Sequence, residues 1–65
     1  MKLMKLQKVI ECTGLARSTI YKFMDQGKFP KQICLGGRSV AWVESEIEDW
    51  IIEKIEQRDN VVEEQ

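Results

Sequence analysis

Between Arg17 and Lys22 the chain places a guanidinium (Arg17), two hydroxyls (Ser18, Thr19), a phenol (Tyr21) and an ammonium (Lys22) in one short run. These groups donate and accept hydrogen bonds or carry fixed positive charge, and none is a ready proton acceptor at neutral pH. The chemistry open to them is recognition of an anionic surface, not bond making. The chain has no histidine, which removes the commonest general base and the usual serine or cysteine triad. Without histidine, the two thiols of Cys12 and Cys34 cannot close a four-ligand zinc site. Glu44, Glu48 and Asp49 sit at spacings that read as a solvated helical face and not as an acid and base pair. No enzyme and no cofactor are expected.

The elements that must hold these groups begin with a turn. Gly14 can take the positive φ of a sharp bend between helices, and Gly27 can do the same as a C-terminal cap. Stepping about 100° per residue from Ile20, Ala16, Phe23 and Met24 fall within about 60° of it, an apolar seam that must face a core. Ser18, Lys22 and Asp25 point the other way, with Tyr21 and Gln26 on the flanks. In front of the turn, Leu6, Val9 and Ile10 recur at i, i+3 and i+4, which predicts a first helix over residues 5–12. Two short helices about Thr13-Gly14-Leu15 make a helix-turn-helix over roughly residues 5–26. Ala16 stands where a capping Ser, Thr, Asp or Asn is usual, so the N–H groups of the second helix are left to water, Thr13 or a phosphate.

At 65 residues the chain is one domain near the lower limit for a self-supporting core. No apolar run approaches a membrane span and no leader pattern opens the sequence, so a soluble cytoplasmic protein is expected, with the cysteines as small buried hydrophobes in a reducing compartment. The net charge of −1 hides a division. Residues 1–42 set eight cations against Glu11 and Asp25, a balance of +6, while residues 43–65 set Lys54 and Arg58 against nine carboxylates, a balance of −7. The basic part suits a phosphate backbone, where each cation gains affinity by releasing counterions.

Met1 to Met4 reads as a short extended start. After Gly27, Pro30 forbids continued helix and biases Phe29 toward an extended core plug. Gln-Ile-Cys-Leu and Ser-Val-Ala-Trp then flank Gly36-Gly37-Arg38, a hairpin whose tip offers Arg38 on flexible backbone to a phosphate or minor groove. From Val43 onward Ile47, Trp50, Ile51 and Ile55 form one stripe of a last helix, with Ile52 off it, Trp42 and Trp50 as anchors, and early acids suited to the helix dipole. Residues 58–65 are expected to be a disordered acidic tail beyond a domain of residues 1–57.

Taken together, Lys5-Leu6 through Val9, Thr13-Gly14-Leu15, Arg17-Ser18-Thr19-Ile20-Tyr21, Gly27-Lys28-Phe29-Pro30, Leu35-Gly36-Gly37-Arg38, Trp42 and Ser45-Glu46-Ile47 to Trp50 resemble the AlpA family of phage and prophage regulators. The resemblance runs to about Lys54 and rests on several motifs in order. It implies a MerR-like and excisionase-like winged helix-turn-helix, with Arg17, Ser18, Thr19, Tyr21 and Lys22 facing a groove and Arg38 as the wing contact. Family members usually have serine at the position of Ala16 and often arginine at that of Lys5.

The expected fold is therefore mainly α with a small β-hairpin: a two-helix HTH, a two-stranded wing and a C-terminal helix. The expected partner is double-stranded DNA, with RNA polymerase or further copies of the chain as additional partners. The contact set is Arg17, Ser18, Thr19, Tyr21, Lys22, Lys28, Lys31, Gly37 and Arg38. The expected role is a transcriptional regulator of a mobile element acting on integrase or excision genes. An excision factor that bends attachment-site DNA, and a protein-interaction module such as an antirepressor, are the alternatives.

Overall fold

Two adjacent residues make the bend between the first helices. In the computed structural model, which describes residues 1–60, α1 spans Leu6–Thr13 and α2 spans Arg17–Asp25. Gly14 closes α1 at φ 73°, its N–H donating to the Ile10 carbonyl at 2.8 Å, in a left-handed conformation that costs glycine no Cβ clash. Thr13 braces the bend from both sides: its hydroxyl donates to the Val9 carbonyl at 2.8 Å and accepts the Leu15 N–H at 3.2 Å. At the far end of α2, Gly27 (φ 72°) donates to the Met24 carbonyl at 3.1 Å and Lys28 donates to the Phe23 carbonyl at 2.8 Å. That pair of bonds is a Schellman motif, which satisfies carbonyls the helix leaves open.

The hairpin gains a third strand. β1 (Leu3–Met4), β2 (Ile33–Gly36) and β3 (Ser39–Val43) form an antiparallel sheet in the order β1-β3-β2, with Leu3 opposite Val43, Met4 opposite Trp42, Ile33 opposite Ala41 and Cys34 opposite Val40. The extended start becomes a strand because β3 has a free edge for it, and the Glu44 N–H extends the pairing by donating to the Lys2 carbonyl at 2.9 Å. A bulge lies between Cys34 and Gly36, and α3 follows β3 directly over Glu44–Asp59.

Met4 of β1, Val9 of α1, Ile20 of α2, Phe29 of the connector, Trp42 of β3 and Ile47 of α3 make the buried core. Each element except β2 therefore contributes one anchor, and burying a large apolar side chain is worth about 1.5–3 kcal/mol. The polar ends of the tryptophans are satisfied: Trp42 Nε1 donates to the Pro30 carbonyl at 3.1 Å and Trp50 Nε1 to the Lys28 carbonyl at 2.8 Å. Phe29 meets Trp50 edge to face, centroids 4.9 Å apart. Both rings thus pin the connector between α2 and β2 onto β3 and α3.

Four expectations need correction. Cys12 and Cys34 are exposed free thiols, Cys34 because all of β2 lies exposed and Cys12 because it borders an open hollow beside Ile51, Ile55 and Arg58. Ala16 is exposed and outside the seam, since it is the extended N-cap residue (φ −72°, ψ 157°) and the helical register starts after it. Ile55 is 43% exposed, because α3 has run past the core at that depth. Arg58 and Asp59 are helical and joined at 3.0 Å; Val61 to Gln65 of the expected tail lie outside the described residues.

Candidate nucleic-acid interface

Burial of Ile20 fixes the rotation of α2, and with it the polar face. Ile20 is fully buried, Phe23 and Met24 pack partly against the core, and Arg17, Ser18, Lys22 and Asp25 are exposed. Ser18, Lys22 and Asp25 recur at i, i+4 and i+7, one stripe opposite the seam. Thr19 and Tyr21 are half-buried at its margins. The first turn of α2 holds no acidic residue, and its N-cap side chain makes no hydrogen bond. The N-terminal N–H groups and the positive end of the helix dipole are thus open to an anion on the side where Arg17 and Ser18 project.

Tyr21 is more than a contact candidate. Its ring meets Trp42 edge to face with centroids 6.4 Å apart, its hydroxyl donates to Gln32 Oε1 at 3.3 Å, and the Arg17 guanidinium lies 5.9 Å from its centroid. The phenol is a strut from the buried tryptophan to the exposed side of α2, and a guanidinium over such a ring gains about 0.5–1 kcal/mol at an exposed site. Gln32, which the sequence reading did not single out, holds the hydroxyl. No periodicity marks it, because it lies in the irregular connector.

At the other candidate contact, Gly36 pairs with Ser39, and Gly37-Arg38 form the two-residue turn between them. Gly37 sits at φ 55°, and a Cβ there would meet nothing within 4 Å. Backbone conformation, not lack of room, therefore calls for glycine. Arg38 is exposed at the tip. Lys5 Nζ donates to Ser39 Oγ at 2.7 Å, tying the start of α1 to the base of the hairpin and adding a second cation beside the turn. Only the resemblance marked Lys5, as a position often held by arginine.

Lys28 and Lys31 are placed differently from the other cations. Lys28 borders a groove with Glu46, Asp49, Trp50, Glu53 and Lys54 of α3. Lys31 borders an adjoining groove with Glu46 and Asp49, and also a hollow beside Tyr21, Met24 and Asp25 of α2. The acidic helix is therefore not remote from every cation of the basic part: its first turns flank these two lysines.

Residues 2–55 match the family described as Prophage CP4-57 regulatory protein (AlpA). The chain belongs to the AlpA family. Among its relatives, the uncharacterized protein ORF88 of Enterobacteria phage P4 is 41% identical over 54 residues, covering 83% of this chain and 61% of that protein. The DNA-binding transcriptional activator AlpA of Escherichia coli strain K12 is 37% identical over 59 residues, covering 82% of this chain and 84% of that protein. The chain thus spans less than two thirds of the phage relative and most of the bacterial one. The AlpA match takes in α1, the turn, α2, the whole sheet and α3 through Ile55. Among the described residues no helix is long and apolar enough to cross a membrane.

Proposed function

We propose that this AlpA-family chain is a sequence-specific DNA-binding transcriptional regulator of a phage, prophage or other mobile element, acting near integrase or excision genes. The observation that carries the reading is the rotation of α2: Ile20 is at 0% exposure while Arg17, Ser18 and Lys22 stand free on the opposite side. A helix so held by a helix-turn-helix enters a major groove with its N-terminal residues at the base edges. Arg17 and Lys22 then supply base-edge or phosphate contacts and Ser18 and Thr19 shorter hydrogen bonds, while Tyr21 holds Arg17 in place. Arg38, on the backbone shaped by Gly37, reaches the adjacent backbone or minor groove. The bacterial relative described as a DNA-binding transcriptional activator supports the activator form of this role, in which RNA polymerase is the further partner.

The test is DNA binding by Lys22→Glu and Arg38→Ala variants whose circular dichroism matches the parent. Selection from a random duplex pool supplies the target. Lys22→Glu is expected to lose at least about tenfold in affinity and Arg38→Ala somewhat less, with the parent's log-log salt plot falling steeply. Unchanged binding by both, or a flat salt plot, would refute the assignment. Bend-angle measurement and in vitro transcription on the same fragments separate an activator from an excision factor.

A further inference from the structure

Of the cations proposed to meet DNA, Arg17 is the one that lies over an aromatic ring among the described residues. Arg17 and Tyr21 stand at i and i+4 on α2, so their side chains meet on one side of the helix. A ring holds a guanidinium in one orientation only if the ring itself is fixed. Tyr21 is fixed at two points. Its edge-to-face contact with Trp42, centroids 6.4 Å apart, holds the body of the ring, and the bond from its hydroxyl to Gln32 Oε1 at 3.3 Å holds the tip. A phenol has a single proton to donate, and here Gln32 takes it. Gln32 is half-buried in the connector, one residue before β2 begins at Ile33. Among the described residues, no other side-chain hydrogen bond ties α2 to the connector or the sheet.

We propose that Gln32 is a positioning residue for sequence reading: through Tyr21 it aims the Arg17 guanidinium at a base edge, and it touches no nucleotide itself. The aiming stands on contacts within this chain, and its use in reading sequence rests on the DNA role proposed above. Arg17 is the first residue of α2, at the end from which a recognition helix reaches base edges. A guanidinium is a planar fork that engages two acceptors of a base at once. Free to swing, it attracts phosphates and adds affinity to every sequence. Held in one plane, it adds affinity to the matching sequence alone. The other proposed contacts lack this restraint, since Lys22 is a compact charge on a flexible stem and Arg38 has no ring beneath it among the described residues. Gln32 therefore acts on discrimination more than on total affinity. At 3.3 Å the bond is long for an O–H···O pair, which sets the expected effect at several-fold and not a hundredfold.

Two measurements test this, the first without DNA. NMR order parameters of the arginine Nε–Hε groups in the full chain are expected to show Arg17 more ordered than Arg38. Gln32→Leu and Tyr21→Phe are each expected to bring Arg17 down to the level of Arg38 while the α2 backbone is unchanged. Tyr21→Phe keeps the ring against Trp42 and removes only the hydroxyl, so it tests the same bond where Gln32→Leu disturbs packing. An Arg17 as loose as Arg38 in the parent, or one indifferent to both substitutions, overturns the proposal. The second measurement uses a duplex selected by the parent from a random pool, its single-base-pair variants, and an unrelated duplex. Gln32→Leu is expected to lower the preference for the selected duplex about three- to tenfold, at the base pair that Arg17→Ala also affects, with affinity for the unrelated duplex unchanged. Tyr21→Phe is expected to match it, the double substitution to add nothing to either single one, and Gln32→Leu to have no further effect once Arg17 is alanine. Equal loss on the selected and unrelated duplexes, which lowered stability or a lost phosphate contact would produce, overturns the positioning role. So does an effect of Gln32→Leu that persists without Arg17. A parent that selects no sequence refutes the DNA role itself, and the order parameters still decide whether Gln32 aims Arg17.

Discussion

Helices α2 and α3 share one core yet are held in opposite ways. The nine residues of α2 are clamped at both ends, by the Thr13-Gly14 bend and the Schellman motif at Gly27, and its middle is fixed by Ile20. The sixteen residues of α3 are anchored only in their first half, by Ile47, Trp50 and Ile51, and every described residue from Ile52 onward is exposed. The difference shows what fixes a side chain in place. A short helix held at both ends and in its middle presents its exposed side chains on rigid backbone, which is what the DNA contacts proposed for α2 require. The long one is free to carry charge, because its second half lies outside the core.

The strongest way to break that comparison is to remove the anchor both helices share. Trp42→Ala deletes a fully buried ring whose Nε1 holds the Pro30 carbonyl and whose edge supports Tyr21. A loss of about 3–5 kcal/mol is expected, comparable to all that so small a core supplies. The variant is expected to show no cooperative thermal transition; a transition within a few degrees of the parent would mean the core is organised elsewhere. Next comes the clamp on α2 alone. Gly27→Ala forces a Cβ into the left-handed region (φ 72°) with no steric neighbour within 4 Å, so the cost is conformational, about 1–2 kcal/mol. Urea denaturation is expected to show a lowered midpoint with an unchanged m-value. The smallest effect sharpens the contrast from the other side: Ile52→Ser, on the unanchored half of α3, is expected to change stability by less than about 0.5 kcal/mol in the same titration. A larger loss at Ile52 than at Gly27 would reverse the account given of the two helices.

The candidate site was legible where local rules suffice. Gly14 and Gly27 marked bends that hold φ 73° and 72°, and the wheel about Ile20 put Ser18, Lys22 and Asp25 outside. Phe29 read as a plug because of Pro30, and it is buried at 5% exposure. Periodicity failed where an element ends or leaves the core: Ala16 precedes its helix, Ile55 outruns the core, and Cys34 lies on a strand that no layer covers. The roles of Tyr21 and Lys5 were hidden for another reason, since both depend on partners (Gln32 and Trp42, Ser39) far along the chain.

By itself, then, the order of residues determined the helices and their bends, the hairpin turn, and the separation of a basic from an acidic part. These follow from backbone preferences and side-chain spacing within a few residues, which act before distant segments meet. Only the tertiary structure decided that Leu3 and Met4 complete a third strand, that Tyr21 carries Arg17 on a ring braced by Trp42, and that Lys28 and Lys31 border the carboxylates of α3. Each of these depends on which remote surfaces are brought together when Trp42, Ile20, Ile47 and Val9 leave water, and a one-dimensional pattern does not contain that choice.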